Sequence, residues 1–115
     1  AESNTAPGAG FRGQKLIDRL APEKRGDLLG FSAEQHYLRV YTQRADDLIL
    51  MRFADALDLV SEVEGMQLHR SHWAAKAGTE QLLDDQDGVR VKLINGVELP
   101  ISRPNVGGAK IVFGD

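Results

Sequence analysis

The sequence predicts an antiparallel, mostly β domain with two short helices. Apolar and polar residues alternate with a period of two along 36–42 and again along 89–101, as they do on strands with one buried face. Asn95-Gly96 interrupts the second run. This dipeptide is a strong hairpin signal because both residues tolerate positive φ. These two observations favour strands joined by tight turns.

The N-terminal part is expected to lead into the domain. Residues 1–10 are small and polar, which is typical of a disordered linker or a remnant of cloning. Apolar residues at near-helical spacing follow at Phe11, Leu16, Ile17 and Leu20. They predict a short amphipathic helix that ends before Pro22, so that 11–26 form a helix and a linker. The domain proper is predicted to span 27–115.

From Asp27 the apolar period changes to that of a strand. A short strand is predicted at 28–31 and a longer one at 36–42. A turn over 43–46 then leads into a returning arm at 48–51.

The middle of the chain predicts the second helix. Apolar residues fall on one helical face across 53–64 and acidic residues on the other, and Gly65 is expected to end the helix. A short strand is predicted at 66–69, with Arg70 directly after its end. A weak strand is expected at 79–83.

The last third predicts a hairpin and an irregular tail. Val89–Leu93 and Val97–Ile101 are the two arms, and Arg103 follows the second arm. Pro104 and Gly107-Gly108 disfavour a helix in the tail, so a last strand is expected at 111–113.

The composition argues against several classes of protein. The 115 residues fit one domain, no apolar run approaches the roughly 18 residues that span a bilayer, and the absence of cysteine excludes disulfide and thiolate chemistry. The net charge of −3 argues against a non-specific DNA coat protein. Acids concentrate in 46–64 and 84–87, however, which allows another face to be neutral or basic.

No arrangement typical of an enzyme or a metal site is present. His69 and His72 are expected on opposite faces of a strand, without the carboxylates that would complete a zinc site. Ser71 lacks the nucleophile elbow of a hydrolase, and Gly107-Gly108 lacks the lysine of a phosphate loop. We therefore expect no enzymatic activity, no metal and no cofactor. Trp73 is expected in the core.

Two arginines are the strongest functional signal from the residues alone. Arg70 and Arg103 each follow an apolar, strand-like run at the point where polar residues begin. A guanidinium at the mouth of a sheet can bind a guanine edge or a phosphate in two places. Double-stranded DNA is the partner that this pattern favours.

Taken in order, these pieces resemble the LytTR family of bacterial DNA-binding domains. The matching stretches are LLGFSAEQHYLRVYT (28–42), Arg52-Phe53 with Ala56-Leu57, LHRSHW (68–73) and VKLINGVELPISR (91–103). Together they cover about residues 27–104.

The resemblance implies an elongated β-β-β arrangement of about ten antiparallel strands with one or two short helices. Loops at one edge would enter successive major grooves of double-stranded DNA, as part of a bacterial transcriptional regulator. Matched residue by residue, the base contacts fall on His36, Arg70 and Arg103. Candidates for phosphate or groove-edge contacts are Ser71, Ser102, Arg39, Tyr37 and Lys92. Lys76 departs from the family pattern and is either a phosphate contact or solvated.

The resemblance also implies partners and location. We expect a homodimer on tandem or inverted half-sites, in the cytoplasm. Family members carry a receiver domain or membrane-spanning segments upstream, and the Arg19-Leu-Ala-Pro lead-in resembles the membrane-linked members, which would be tethered to the inner membrane.

The chief alternative is a protein-interaction module on the same scaffold that uses the acidic helix 53–64. DNA binding should weaken steeply with added salt through counterion release, whereas docking on an apolar patch should not.

Overall fold

Two antiparallel sheets form the body of the protein. The computed structural model describes residues 14–114. The strands are β1 (Leu28–Glu34), β2 (Tyr37–Thr42), β3 (Asp46–Leu50), β4 (Gly65–His69), β5 (His72–Ala75), β6 (Thr79–Asp85), β7 (Gly88–Leu93) and β8 (Glu98–Pro100). The helices are α1 (Gln14–Ile17), α2 (Phe53–Leu59) and α3 (Val106–Phe113), with 3₁₀ turns at Pro22–Lys24 and Arg103–Asn105. The mainly β, antiparallel class is confirmed, with eight strands in the described residues where about ten were expected.

Strand β1 lies at the centre of the larger sheet. The five-stranded sheet has the order β3-β2-β1-β5-β4, and the three-stranded sheet has the order β6-β7-β8. Every pair of neighbouring strands is antiparallel. The larger sheet therefore consists of the β1–β2–β3 meander and the β4–β5 hairpin, joined along β1 and β5.

The larger sheet is buried on both faces. On one face the ring of Phe31 stacks on Trp73, with ring centroids 5.0 Å apart, and α1 and α2 cover this first core. On the other face Leu29 and Ala74 pack against Val91 and other residues of the smaller sheet, forming the second core. Double burial explains why β1 begins with two adjacent buried leucines rather than with a strict alternation.

The described part of the lead-in segment packs on the domain. Leu16, Ile17 and Leu20 are almost fully buried in the first core. The predicted helix is present as the single turn α1, whereas Phe11 lies outside the described residues. No helix within 14–114 is long and apolar enough to cross a membrane.

The predicted turn at Asn95-Gly96 is confirmed. The Leu93 N–H donates to the Val97 carbonyl at 2.8 Å, and the Gly96 N–H donates to the Leu93 carbonyl at 2.9 Å. Gly96 has φ +93°, which glycine adopts without a steric penalty.

Two predicted elements differ from the structure. Helix α2 ends at Leu59 rather than at Gly65, and Gly65 instead begins β4, where a Cβ would collide with the Ala74 carbonyl oxygen. The last strand predicted at 111–113 is wrong because these residues belong to α3. Pro104 lies in the first turn of the preceding 3₁₀ segment, where its missing N–H has no cost.

Burial compensates for the two glycines in α3. Ala109 is fully buried in the second core, and Val106 and Phe113 pack against it. The glycines weaken a helix by about 1 kcal/mol each relative to alanine, which the burial of three apolar side chains can offset.

We expect Trp73→Ala to lower the free energy of unfolding by about 3–5 kcal/mol, the range for removing a large aromatic side chain from a core. Trp73 is 4% exposed, whereas Ile111 is 83% exposed. Ile111→Ala is therefore the control and should change stability by less than about 0.5 kcal/mol. Urea denaturation of both variants measures the difference, and similar effects would contradict the assignment of Trp73 to the core.

Candidate nucleic-acid interface

Two hairpin turns lie side by side at one end of the larger sheet. Gln35 and His36 connect β1 to β2, and Arg70 and Ser71 connect β4 to β5. Strands β1 and β5 are antiparallel neighbours in which Ser32 pairs with His72, so the end of β1 meets the start of β5. The Ala33 N–H donates to the Ser71 carbonyl at 2.8 Å and joins the two hairpins beside the turns.

A third segment is fixed beside these turns by the Leu68 carbonyl. This oxygen accepts hydrogen bonds from the Ser102 N–H at 2.9 Å, the Ser102 hydroxyl at 3.2 Å and the Asn105 side-chain amide at 3.0 Å. Leu68 lies two residues before Arg70. These bonds therefore hold Arg103 next to the β4–β5 turn.

We call Gln35–Tyr37, Arg70–Ser71 and Ser102–Arg103 the recognition end. All three segments lie at the same end of the larger sheet, in the spatial order β1–β2 turn, β4–β5 turn, Ser102–Arg103. His36, Arg70 and Arg103 are all exposed. The three residues matched to base contacts are thus brought together.

Within residues 14–114, the charges of the two arginines of the recognition end are not paired with a carboxylate. Among residues 14–114 the cations that form salt bridges are Lys24, Arg39, Arg52, Lys76, Arg90 and Lys110. Arg70 and Arg103 are not among them. Both guanidinium groups can therefore bind a ligand without first breaking an ion pair in this part of the chain.

Arg39 lies on the sheet next to the recognition end, but its charge is compensated. Its Nε donates to Glu34 at 2.6 Å and another nitrogen donates to Asp46. The hydrogen bonds that Arg39 donates to Glu34 and Asp46 raise its pKa above the ordinary value. A phosphate would have to displace a carboxylate to bind it.

Lys76 and Lys92 lie at the other end of the sheet. Lys76 follows the last residue of β5, where its N–H donates to the Glu64 carbonyl and its ammonium lies 3.7 Å from the Glu64 carboxylate. Lys92 lies in β7, near the Asn95-Gly96 turn. The Ile94 N–H beside this turn donates to the Gly78 carbonyl, and Gly78 packs on Leu29 at the start of β1. The four residues of β5, about 13 Å, separate Lys76 from the β4–β5 turn, and Lys92 pairs with Glu98, four residues before Ser102.

The remaining candidates have different surroundings. Tyr37 is 46% exposed at the start of β2, and Ser71 is half-buried in its turn. The Ser102 hydroxyl donates to Leu68 and accepts from Asn105 at 3.0 Å. Ser102 therefore positions Arg103, whereas Tyr37 can reach a ligand directly.

His69 and His72 are neighbours rather than residues on opposite faces of a strand. They pair across the β4–β5 hairpin, with ring centroids 5.3 Å apart. The sequence prediction was wrong because Arg70-Ser71 is a turn, which brings the flanking residues together. No cluster of three or more potential metal ligands is found within 14–114.

Sequence reasoning missed three residues that shape this end. Asn105 holds the third segment, as described above. Ser32, which is almost fully buried, bonds to His72 Nδ1 at 2.7 Å and ties β1 to β5 beneath the two turns. Gln35 has φ +59°, a conformation that is uncommon outside glycine and closes the β1–β2 turn. The position of Gln35 between two strand-like runs was the available signal for this turn, and long-range bonds such as those of Ser32 and Asn105 leave no local pattern.

The domain thus presents exposed arginines on loops of an antiparallel β scaffold. The family model described as the LytTr DNA-binding domain matches residues 18–111, and the chain belongs to this family. LytTR domains are DNA-binding domains of regulators rather than catalytic domains. The resemblance inferred from the sequence is confirmed.

A solved structure has the same fold. It is the LytTr DNA-binding domain of a methyl-accepting/DNA response regulator from Bacillus cereus, with a TM-score of 0.62. The match covers 84% of this chain and 82% of that chain at 11% sequence identity. None of the curated proteins compared with the chain matches it.

Acidification should destabilise the fold through His72. Burial lowers the pKa of His72, and the neighbouring His69 lowers it further. The unfolded chain therefore binds this proton at a higher pH than the folded chain does. The free energy of unfolding should fall as the pH drops through about 6.5, the ordinary histidine value, and below.

His72→Gln should weaken this pH dependence, whereas His36→Gln, at an exposed turn position, should retain it. Chemical denaturation between about pH 7.5 and about pH 5.5 lies above the range in which ordinary carboxylates titrate. Equal pH dependence in wild type and His72→Gln would exclude His72 as the cause.

Proposed function

We propose that this domain reads the sequence of double-stranded DNA with its recognition end, as part of a bacterial transcriptional regulator. The observation that carries the proposal is the convergence of three loops at one end of the sheet, two of which present arginines without an ion pair in the described chain. Membership of a DNA-binding family supports the same partner.

Arg70 and Arg103 are proposed as base readers in the major groove. A guanidinium can donate two hydrogen bonds to the O6 and N7 atoms of guanine. His36 can donate to or accept from a base edge, according to which ring nitrogen carries the proton. Tyr37 and Ser71 are proposed to bind phosphate and fix the register.

The dimensions of the recognition end suit more than one contact point on a duplex. Neighbouring strands lie about 4.8 Å apart, so the backbone from the β1–β2 turn to the segment beyond β4 spans about 15–20 Å. Outward side chains extend this reach toward the repeat of about 34 Å between successive major grooves. We therefore place His36 and Arg103 toward successive grooves, with Arg70 between them.

The charge distribution favours a small number of strong contacts. Arg39, Lys76 and Arg90 are engaged by carboxylates, and the net charge is −3. Non-specific binding depends on the number of phosphates that are neutralised. We therefore expect weak binding to random DNA, with discrimination supplied by the recognition end.

Arg70→Ala and Arg103→Ala should each weaken binding to the cognate duplex by about 1–3 kcal/mol, the contribution of a bidentate arginine–guanine contact. Binding to random duplex should weaken much less. Arg44→Ala is the matched control because Arg44 is an exposed arginine in the β2–β3 turn, at the opposite end of the sheet. Fluorescence anisotropy, on a site selected from a randomised duplex pool, measures all three variants.

A base-reading role is wrong for either arginine if its removal weakens cognate and random duplex to the same extent. Loss of affinity in Arg44→Ala comparable to that in Arg70→Ala would place the interface elsewhere.

We further propose that two copies bind tandem or inverted half-sites, because one recognition end covers few base pairs. Footprinting at saturating protein should protect two segments about one helical turn, or a multiple of it, apart. A single protected segment on every selected site would contradict this arrangement.

A further inference from the structure

The outermost strand of the larger sheet, β3, has no neighbour on its outer side among the described residues. The opposite edge, β4, is partly covered by Ser102 and Asn105, which bond to its Leu68 carbonyl. An uncovered edge strand presents unpaired N–H and carbonyl groups and is a template for another strand.

Apolar side chains accompany this open edge. Ile49 and Met51 pack against the first core, so the alternate residues face away from that core. Leu48 is 42% exposed and Leu50 is 73% exposed. Two adjacent exposed leucines on an open edge mark an interaction surface rather than an ordinary solvated strand.

The backbone N–H and carbonyl groups on the open side of β3 belong to the residues with exposed side chains, Leu48 and Leu50. The Thr42 N–H donates to the Ala45 carbonyl and closes the β2–β3 turn. Because hydrogen-bonded pairs alternate along an antiparallel ladder, Asp47 and Ile49 bond toward β2. The N–H and carbonyl groups of Leu48 and Leu50 therefore point outward, although the Leu48 N–H currently contacts the Asp47 side chain at 3.0 Å.

The outward positions have a self-complementary sequence. They read Asp46, Leu48, Leu50 and Arg52, that is, acid, apolar, apolar and base. An antiparallel second copy centred on Ile49 places Leu48 opposite the partner's Leu50. The same register places Asp46 opposite the partner's Arg52. Arg39 contacts only Oδ2 of Asp46, so Oδ1 can accept from the partner's Arg52 and both leucine pairs and both ion pairs can form at once.

Charge and polarity disfavour the two neighbouring registers that the hydrogen-bonding pattern allows. Pairing centred on Leu50 would place Leu48 opposite the partner's Arg52. If the pairing were centred on Leu48, Arg44 would lie opposite the partner's Arg52, and like charges directly opposite destabilise a sheet. Arg52 is available for the favoured register because its side chain is 88% exposed and its nearest carboxylate, Asp55, is 3.8 Å away.

We propose that two copies of this chain associate through β3, antiparallel and centred on Ile49, so that the two five-stranded sheets become one of ten strands. The other open edge, β6, carries Glu80, Asp84 and Asp85. These acidic residues would repel a second copy of the same strand. The remaining edge strand of the smaller sheet, β8, is three residues long and contains Pro100, which has no N–H for a ladder, so the association is assigned to β3.

This pairing reverses the direction of the partner's strands. The partner's recognition end therefore points the opposite way, so if the recognition end binds DNA as proposed above, a β3 dimer holds two separate duplex segments. Two copies that bind neighbouring half-sites on one straight duplex would not contact each other through β3. The association itself is tested without DNA, so failure of one proposal is distinguishable from failure of the other.

Sedimentation equilibrium of the full 115-residue chain tests the association. Wild type should show a concentration-dependent monomer–dimer equilibrium, and Leu50→Asp should raise the dissociation constant about tenfold or more by placing a charge opposite the partner's Leu48. Ile111→Asp is the control because Ile111 is 83% exposed on α3, away from β3, and it should change the constant by less than about twofold. Circular dichroism and thermal melting verify that each variant is folded. A wild-type chain that remains monomeric at all concentrations, or equal effects of the two variants, would overturn the proposal.

A charge exchange tests both the register and the identity of the partner. Arg52→Asp and Asp46→Lys should each self-associate more weakly than wild type, because acid then faces acid or base faces base. An equimolar mixture of the two should dimerise more strongly than either alone, since every facing pair is again of opposite charge. A mixture that associates no better than its components would refute pairing centred on Ile49.

Discussion

The pairing of β1 with β5 is the constraint on which the arrangement of this domain depends. It joins the meander to the β4–β5 hairpin, and it is supported on one face by the Phe31–Trp73 stack and on the other by the Ser32–His72 hydrogen bond. Side chains alternate with a period of two along a strand, so a slip of one residue would move Phe31 out of the first core and turn the polar Ser32 into it. The same register sets the turns that carry His36 and Arg70 side by side at one end of the sheet.

The second constraint is the use of one carbonyl to fix the third loop. Leu68 belongs to the hairpin that presents Arg70, and its oxygen accepts the bonds that hold Ser102 and Asn105. Arg103 is consequently oriented by the strand that precedes Arg70. Preorganised loops lose less conformational entropy on binding than mobile ones, which suits a domain that is proposed to bind DNA through few side chains.

Charge is distributed so that an acidic domain retains a cationic end. Arg39 and Arg90 each donate hydrogen bonds to two carboxylates. These contacts hold both side chains on the sheets and compensate their positive charge. Arg70 and Arg103 project from loops, beyond the reach of such partners in the described chain. The composition alone, with a net charge of −3, hides this difference because it is a property of position and not of residue type.

The sequence by itself determined the elements with a local cause. The alternation around Leu38 and Val40, the Asn95-Gly96 turn and the burial of Trp73 follow from period, turn chemistry and hydrophobicity, and all three are present. The family resemblance added the order of the elements and the three residues matched to base contacts. The structure brings these three residues to one end of the sheet. Their contacts with DNA remain a prediction.

Only the tertiary structure decided the features that depend on which residues the fold brings into contact. Helix α3 forms across Gly107-Gly108 because Ala109 finds a buried position, which helix propensity does not contain. His69 and His72 meet because the intervening pair is a turn, and Arg39 is neutralised because Asp46 lies on the neighbouring strand. In each case the deciding free energy comes from a partner that is remote in sequence or placed by the fold, so no local pattern could reveal it.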